Sequence, residues 1–307
     1  MTVLPQPASR GTPQEAIFVE GTGFHWFQHF AVAPDATSGR GLAAVRTTQE
    51  AAAAADVHLV VGFGSAMVGR LGMEAPPGLK PFTEVTGSSG RRAVATQEDV
   101  FFWAHSDRHD ANFDVALTAR RAFDPIGTLA RETPSWVYRD SRDLTGFIDG
   151  TENPPADEAR DLAVIAAGPG AGGSYVLAQR WVHDLDAFAA LPAAEQEQVI
   201  GRTKADSVEL EDLPANSHLG RVVHTDDTGD EIEIYRRSVP YGTTTEAGLY
   251  FLAFTDDLAK IDLMLGSMFG ATGDGRHDRL VGFTETVSGA YYFAPPAETL
   301  AAAGLLT

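Results

Sequence analysis

Two segments of the chain share one pattern of apolar and polar positions. Residues 99–107 and 248–256 each hold about six mainly apolar and aromatic residues, followed by a small hydroxyl residue and an aspartate. An aromatic-rich run of this length predicts a strand, and the polar pair after it is typical of a helix N-cap. The segments lie about half the chain apart, which suggests a duplicated unit.

The pattern predicts further helices and strands. After Thr255, five apolar residues fall on one helical face: Leu258, Ile261, Met264, Leu265 and Met268. Thr47 and Glu50 have capping-box spacing and predict a helix over 47–55. Strands are predicted over 173–183, 220–226 and 231–238, and two helical pieces over 184–204 meet at Pro192.

This order of elements predicts the fold class. The strands are not separated by regular helical crossovers, which favours an antiparallel α+β fold over a doubly wound sheet. Glycine, proline and acidic residues cluster at 145–170, where we expect the boundary between two halves, residues 1–150 and 151–307.

Composition excludes several functions. The chain has 307 residues and no cysteine, so disulfides, thiolate metal sites and cysteine nucleophiles are excluded, and a metal ligand must be His, Asp, Glu or Tyr. A net charge of −19 argues against binding to nucleic acid or anionic lipid. No apolar run approaches the roughly 18 to 20 residues of a membrane span. We expect a cytoplasmic protein without membrane or nucleic-acid partners.

The string GFIDGTENP, residues 146–154, places an acid at a sharp turn. Asp149 follows an apolar pair and precedes Gly150, so its carboxylate should leave a packed strand where neighbouring backbone can approach a ligand. An Asp-Gly pair alone is a common turn and does not establish a function.

The strand predicted over 231–238 places a cation on an apolar face. With a period of two, Arg236 shares a face with Ile232, Ile234 and Ser238. A guanidinium there indicates either a buried ion pair or a functional cavity. Arg237 lies on the charged face, where we expect it to pair with glutamates.

The string GFIDGTENP resembles, nearly word for word, the signature of the dye-decolourising peroxidases, and NSHLGRVV (216–223) is similar to that family's proximal segment. The resemblance implies that Asp149 lies on the distal face of haem, beside Gly150, Thr151 and Glu152. It makes His218 the axial ligand of the iron. A histidine just before a predicted strand suits this role because neutral imidazole binds iron well. His224 is the competing candidate and is expected to lie at the surface.

Further residues take roles from the same resemblance. Arg236 has the family's spacing from the axial histidine and becomes the distal arginine. Leu252 and Phe254 match the apolar pair that lines the distal pocket, and Asp278 matches the acid that accepts a hydrogen bond from the axial histidine. Arg202 is a candidate partner of a haem propionate. Ser238 departs from the pattern, since some B-type relatives have asparagine there.

The family, most like its bacterial B type, implies two ferredoxin-like halves of the dimeric α+β barrel type, with haem b held mainly by the second half. It implies a homo-oligomeric peroxidase that reduces hydrogen peroxide through an oxo-ferryl intermediate and oxidises small aromatic substrates such as phenols or dyes. Two alternatives are a haem-handling protein and a chlorite-dismutase-like enzyme that uses a distal arginine without the aspartate. The Asp149 motif argues against both.

Overall fold

The computed structural model describes residues 11–151 and 153–306. Its strands alternate with helices along the chain. The strands are β1 Phe24–Val32, β2 His58–Phe63, β3 Val85–Thr86, β4 Arg92–Ala93, β5 Val100–Ser106, β6 Gly127–Trp136, β7 Ser174–His183, β8 Tyr235–Arg236, β9 Val239–Gly242, β10 Ala247–Thr255, β11 Thr284–Thr286 and β12 Ala290–Ala294.

The α-helices lie between these strands, and the last one follows β12. They are α1 Ser38–Ala55, α2 Ser65–Arg70, α3 His109–Phe123, α4 Ala156–Ala163, α5 Leu185–Ala189, α6 Ala193–Ile200, α7 His218–Val222, α8 Leu258–Phe269 and α9 Ala297–Ala302. Two short 3₁₀ turns are formed by Glu15–Ile17 and Arg279–Gly282.

Eight antiparallel strands close into a barrel. The strand order is β7-β12-β2-β5-β1-β6-β9-β10, and β10 pairs with β7 to complete the ring. Strands β1, β2, β5 and β6 come from the first half and β7, β9, β10 and β12 from the second, and each group has ferredoxin-like order. The predicted fold class is therefore confirmed, while the boundary between 1–150 and 151–307 stays a prediction.

Alternation along the strands separates the barrel interior from its outer face. The interior holds aromatic residues from both halves, including Phe27, Trp103, Tyr250 and Phe254. Phe27 and Tyr250 stack with ring centroids 3.6 Å apart, which joins the two halves across the interior. On the outer face, α1 and α3 pack against the first half and α8 packs beside β10 of the second.

The predicted strands over 99–106, 173–183 and 248–255 are confirmed, as is the helix after Thr255. The predicted strand over 220–226 is wrong. There the chain forms the short helix α7, because the Ser217 hydroxyl caps it by accepting a hydrogen bond from Gly220 N at 3.1 Å.

Two other elements differ from the predicted bounds. The helix predicted over 47–55 begins earlier, at Ser38, where the Thr37 hydroxyl accepts a hydrogen bond from Arg40 N. Thr47 and Glu50 therefore lie inside α1. Of the strand predicted over 231–238, only Tyr235–Arg236 joins the main sheet, as β8. In the described parts of the chain no helix is long and apolar enough to cross a membrane.

Candidate active site

A cavity lies between the outer face of the barrel and α8. It contains about 810 Å³ of space not occupied by atoms, part of it open to solvent. The strands contribute four large apolar side chains and α8 contributes four more, and these walls are Leu177, Trp181, Leu249 and Phe251 opposite Ile261, Met264, Leu265 and Met268. The helical face predicted from the sequence thus forms one wall of the cavity.

Asp149 reaches this cavity from the turn that the sequence predicted. Gly150 adopts a φ of +78°, which only glycine enters freely, and its N–H donates to Asp149 Oδ1 at 2.8 Å. Burial raises the pKa of the Asp149 carboxyl. The Arg236 guanidinium lowers this pKa, and the Asp143 carboxylate raises it again. Asp149 is therefore easier to protonate than an exposed aspartate.

Arg236 lies beside Asp149 at the same cavity. Asn153, in the loop 146–154, bonds to the main chain of Arg236. Its Oδ1 accepts a hydrogen bond from Arg236 N at 3.0 Å, and its Nδ2 donates one to Arg236 O at 2.5 Å. These two hydrogen bonds hold the strand that carries Arg236 beside the loop that carries Asp149. The sequence analysis did not identify this role of Asn153. The Arg236 Nε atom is buried without a hydrogen-bond partner among the described residues. The guanidinium is thus free to bind an anion.

His218 and Asp278 form a hydrogen-bonded pair on the helical side of the cavity. His218 Nδ1 lies 2.6 Å from Asp278 Oδ2, and the Asp278 side chain is fully buried while that of His218 is 32% exposed. Asp278 also accepts from Leu280 N at 2.8 Å, which fixes the carboxylate in place. With Nδ1 engaged, Nε2 is the His218 nitrogen available to a metal.

A second histidine–aspartate pair borders the same cavity. His183 Nε2 lies 3.0 Å from Asp143 Oδ1, and His183 Nδ1 lies 2.7 Å from Thr284 Oγ1. Asp143 is buried, which works against ionisation, yet its bonds to His183 and Thr145 hold its pKa below the usual range. Sequence analysis did not single out this pair, although His183 ends a strand that was predicted.

The remaining predicted residues of the signature loop lie near the site or outside the described residues. Gly150 borders the opening that leads to Asp149. Thr151 is exposed and its hydroxyl lies 3.5 Å from that of Ser207. Glu152 lies outside the described residues.

Two predictions on cavity residues of β10 need correction. Leu252 and Phe254 point into the barrel interior, where they pack with Phe27 and Trp103, and the structure does not bring them to the cavity. Because side chains alternate along a strand, the neighbouring positions Leu249 and Phe251 face the cavity instead.

Three other residues differ from expectation or lie apart from the cavity. Arg202 donates to Ser207 O at 2.7 Å and does not line the cavity. His224 is partly exposed, lies 3.1 Å from Arg221 O and does not line the cavity. Arg237 does not pair with glutamate in the described structure. Its guanidinium donates to backbone carbonyls, including Ile17 O at 2.6 Å, and lies 5.0 Å from the centre of the Trp103 ring.

Fold and site together define a class, an α+β barrel protein with an apolar outer cavity that offers one histidine ligand and two charged groups of opposite sign. Known proteins share this fold over nearly the whole chain. Models for the N-terminal and C-terminal parts of Dyp-type peroxidases match residues 26–132 and 140–299. The chain belongs to the Dyp-type peroxidase family.

Individual relatives agree with this assignment. The dye-decolorizing peroxidase of Mycobacterium tuberculosis is 36% identical over 251 residues, covering 80% of this chain and 75% of that protein. The solved dye-decolorizing protein from V. cholerae is 37% identical with a TM-score of 0.86, and 95% of this chain and 99% of that chain are covered. A variant of Rhodococcus jostii RHA1 DypB in complex with heme is 32% identical with a TM-score of 0.88, at 95% and 99% coverage.

Proposed function

We propose that this peroxidase binds haem b in the cavity outside the barrel, with His218 as axial ligand and with Asp149 and Arg236 acting on hydrogen peroxide. The observation that carries the proposal is the arrangement of these three residues around one apolar cavity. The similar DypB structure in complex with heme supports the choice of cofactor.

The residues present fit haem. Two apolar walls face each other, as the two faces of a porphyrin require, and the imidazole on one side has its second nitrogen held by a buried carboxylate. Such a carboxylate fixes the ring orientation and makes the imidazole a stronger ligand. The unpaired Arg236 Nε on the opposite side suits an anionic partner.

When bound, haem supplies the redox-active iron for peroxide cleavage and for one-electron oxidation of reducing substrates. Asp149 takes the proton from one peroxide oxygen and delivers it to the other. Arg236 stabilises the negative charge that develops as the O–O bond breaks, and its effect is larger beside the apolar cavity walls than it would be in water. Asp149 must be ionised to accept the proton, so its raised pKa sets a lower pH limit on this step.

The haem-handling alternative uses the same histidine but does not require Asp149 and Arg236 to act together. An absorption spectrum of the purified protein, before and after one equivalent of hydrogen peroxide, separates the two functions. We expect a Soret band that shifts on mixing and returns when a phenol or dye is added. A Soret band that peroxide leaves unchanged contradicts the peroxidase assignment of this cavity.

Three further features are proposed for this peroxidase. Dyes are the proposed reducing substrates, as the names of the relatives suggest, and phenols are proposed from the family resemblance. The charge of −19 and the absence of any long apolar run support a cytoplasmic location, and membership of this family supports a homo-oligomer. Cell fractionation and light scattering of the purified protein test these two features.

A further inference from the structure

Gln179 has an unusual position in the cavity wall. It lies on β7 between Leu177 and Trp181, and the same alternation that turns these two side chains to the cavity turns Gln179 there as well. Its side chain is fully buried, and neither its Nε2 nor its Oε1 has a hydrogen-bond partner among the described residues. The Gln179 amide is therefore buried in the cavity wall between two apolar side chains.

Other buried glutamines in this protein are bonded. Gln28, which is also on a barrel strand, donates through Nε2 to Ala116 O at 3.0 Å and to Glu132 Oε1 at 2.9 Å. An amide buried without partners destabilises a protein, since it loses hydrogen bonds to water and gains none. The Gln179 amide therefore points to a group that enters the cavity and bonds to it.

The chemistry of the amide restricts that group. Both the donor and the acceptor of Gln179 are unpaired, so the best partner offers an acceptor and a donor together. The faces of a porphyrin provide neither, and an ionised propionate accepts but does not donate. Hydrogen peroxide, HO–OH, offers both on adjacent atoms.

Gln179 also lies on the same wall as Arg236. Leu177, two residues before Gln179, pairs with Ala253, and Ala253 pairs on its other side with Arg236. Both polar groups thus face the cavity from one sheet surface, Arg236 from β8 and Gln179 from β7, with β10 between them.

We propose that Gln179 is a third polar contact for hydrogen peroxide in this cavity, donating to one oxygen through Nε2–H and accepting from a peroxide hydroxyl through Oε1. This inference rests on the proposed function, because it requires peroxide to bind between the haem and the sheet. Gln179 positions the peroxide for Asp149 and Arg236 and carries no charge itself.

Fluoride binding to the ferric holoprotein tests the donor, since fluoride accepts hydrogen bonds and its affinity is measured without turnover. Gln179→Met keeps the side-chain length and removes the amide. We expect it to weaken fluoride binding about tenfold, as loss of a hydrogen bond to an anion implies. Gln179→Asn, which retains an amide but shortens its reach, should also weaken it. The matched control, Gln28→Met, should leave fluoride affinity unchanged.

Haem transfer to apomyoglobin, measured on the same variants, identifies a propionate contact. If Gln179→Met releases haem faster and binds fluoride as the parent does, Gln179 holds a propionate and the proposal is overturned. Unchanged values in both assays overturn it as well. Arg236→Leu serves as the reference: if it weakens fluoride binding while both Gln179 variants do not, only this inference fails. If none of the three variants weakens fluoride binding, the proposed distal site fails too.

Discussion

Acid should destabilise this protein through three histidines inside the barrel. His25, His29 and His105 are buried, and burial lowers their pKa values to about 3, about 3 and about 2. The hydrogen-bond partners of His25 also require the neutral ring. At His25, Nδ1 accepts from Trp103 Nε1 at 3.1 Å, which leaves the other nitrogen to donate to Thr22 O. A second proton on the His25 ring would make Nδ1 a donor facing the Trp103 Nε1–H donor, and this hydrogen bond would be lost.

A neutral ring also satisfies the hydrogen bonds of the other two histidines. His105 lies 2.9 Å from both Thr22 Oγ1 and Ala16 O, where a neutral ring donates to the carbonyl and accepts from the hydroxyl. His29 lies between the hydroxyls of Tyr250 and Tyr292, at 2.6 and 2.7 Å. Each hydrogen-bonding arrangement can be satisfied by one ring proton.

The size of the effect follows from linkage. Well above its ordinary pKa of 6.5, a histidine that is neutral in the folded state does not make the free energy of unfolding depend on pH. Below that pH it lowers the free energy of unfolding progressively, because the unfolded state binds the proton and the folded state does not. Between pH 7 and pH 5 each ring binds a proton in the unfolded state but not in the folded state. This difference lowers the free energy of unfolding by about 2 kcal/mol for each ring. For three rings the loss is about 6 kcal/mol, a large part of the stability of a typical domain.

Urea denaturation of the apoprotein at pH 7 and pH 5 measures this loss without interference from haem release. In His105→Gln the amide can donate to Ala16 O and accept from the Thr22 hydroxyl, so this variant should lose about a third of the pH effect. His109→Gln removes an exposed imidazole and should show the full effect. Equal stability of the parent at both pH values, or a full effect in His105→Gln, refutes the reasoning.

Three further predictions concern the site. His218→Ala should lose the Soret band or bind haem much more weakly, whereas His224→Ala should retain it; the reverse pattern in absorption spectra contradicts the ligand assignment. Asp278→Asn removes the carboxylate 2.6 Å from His218 and should raise the haem reduction potential by roughly 60 to 120 mV in spectroelectrochemistry, and an unchanged potential contradicts this role. Asp143→Asn removes a charge that raises the pKa of Asp149, so the acid limb of the pH–rate profile for peroxide should move to lower pH; a fixed limb rules out this coupling.

Much of the fold could be predicted because strand and helix periods are local. The apolar and aromatic runs on β5, β7 and β10 and the apolar face of α8 are each visible within a dozen residues. Helix α7 escaped prediction because five residues are too few to show a helical period, and only the cap at Ser217 marks its start.

The site was predictable where a polar residue interrupts an apolar face. This argument singled out Arg236, and applied to the predicted strand over 173–183 it would have found Gln179 too. It could not decide which face of β10 meets the cavity, because both faces are apolar and barrel closure determines it. The family resemblance indicated Leu252 and Phe254, whereas Leu249 and Phe251 face the cavity. The Asn153 bonds to Arg236 join residues far apart in sequence and have no local signal.

The central claim is that Asp149 and Arg236 act together on peroxide, and stopped-flow mixing of the holoprotein with hydrogen peroxide tests it most directly. Arg236→Leu should slow the shift of the Soret band by at least about tenfold while haem stays bound, because a fixed positive charge is lost from a cavity with apolar walls. Asp149→Ala should also slow it through loss of the proton shuttle. If both variants retain haem and react as fast as the parent, the distal assignment is contradicted, together with the peroxide chemistry proposed for this cavity.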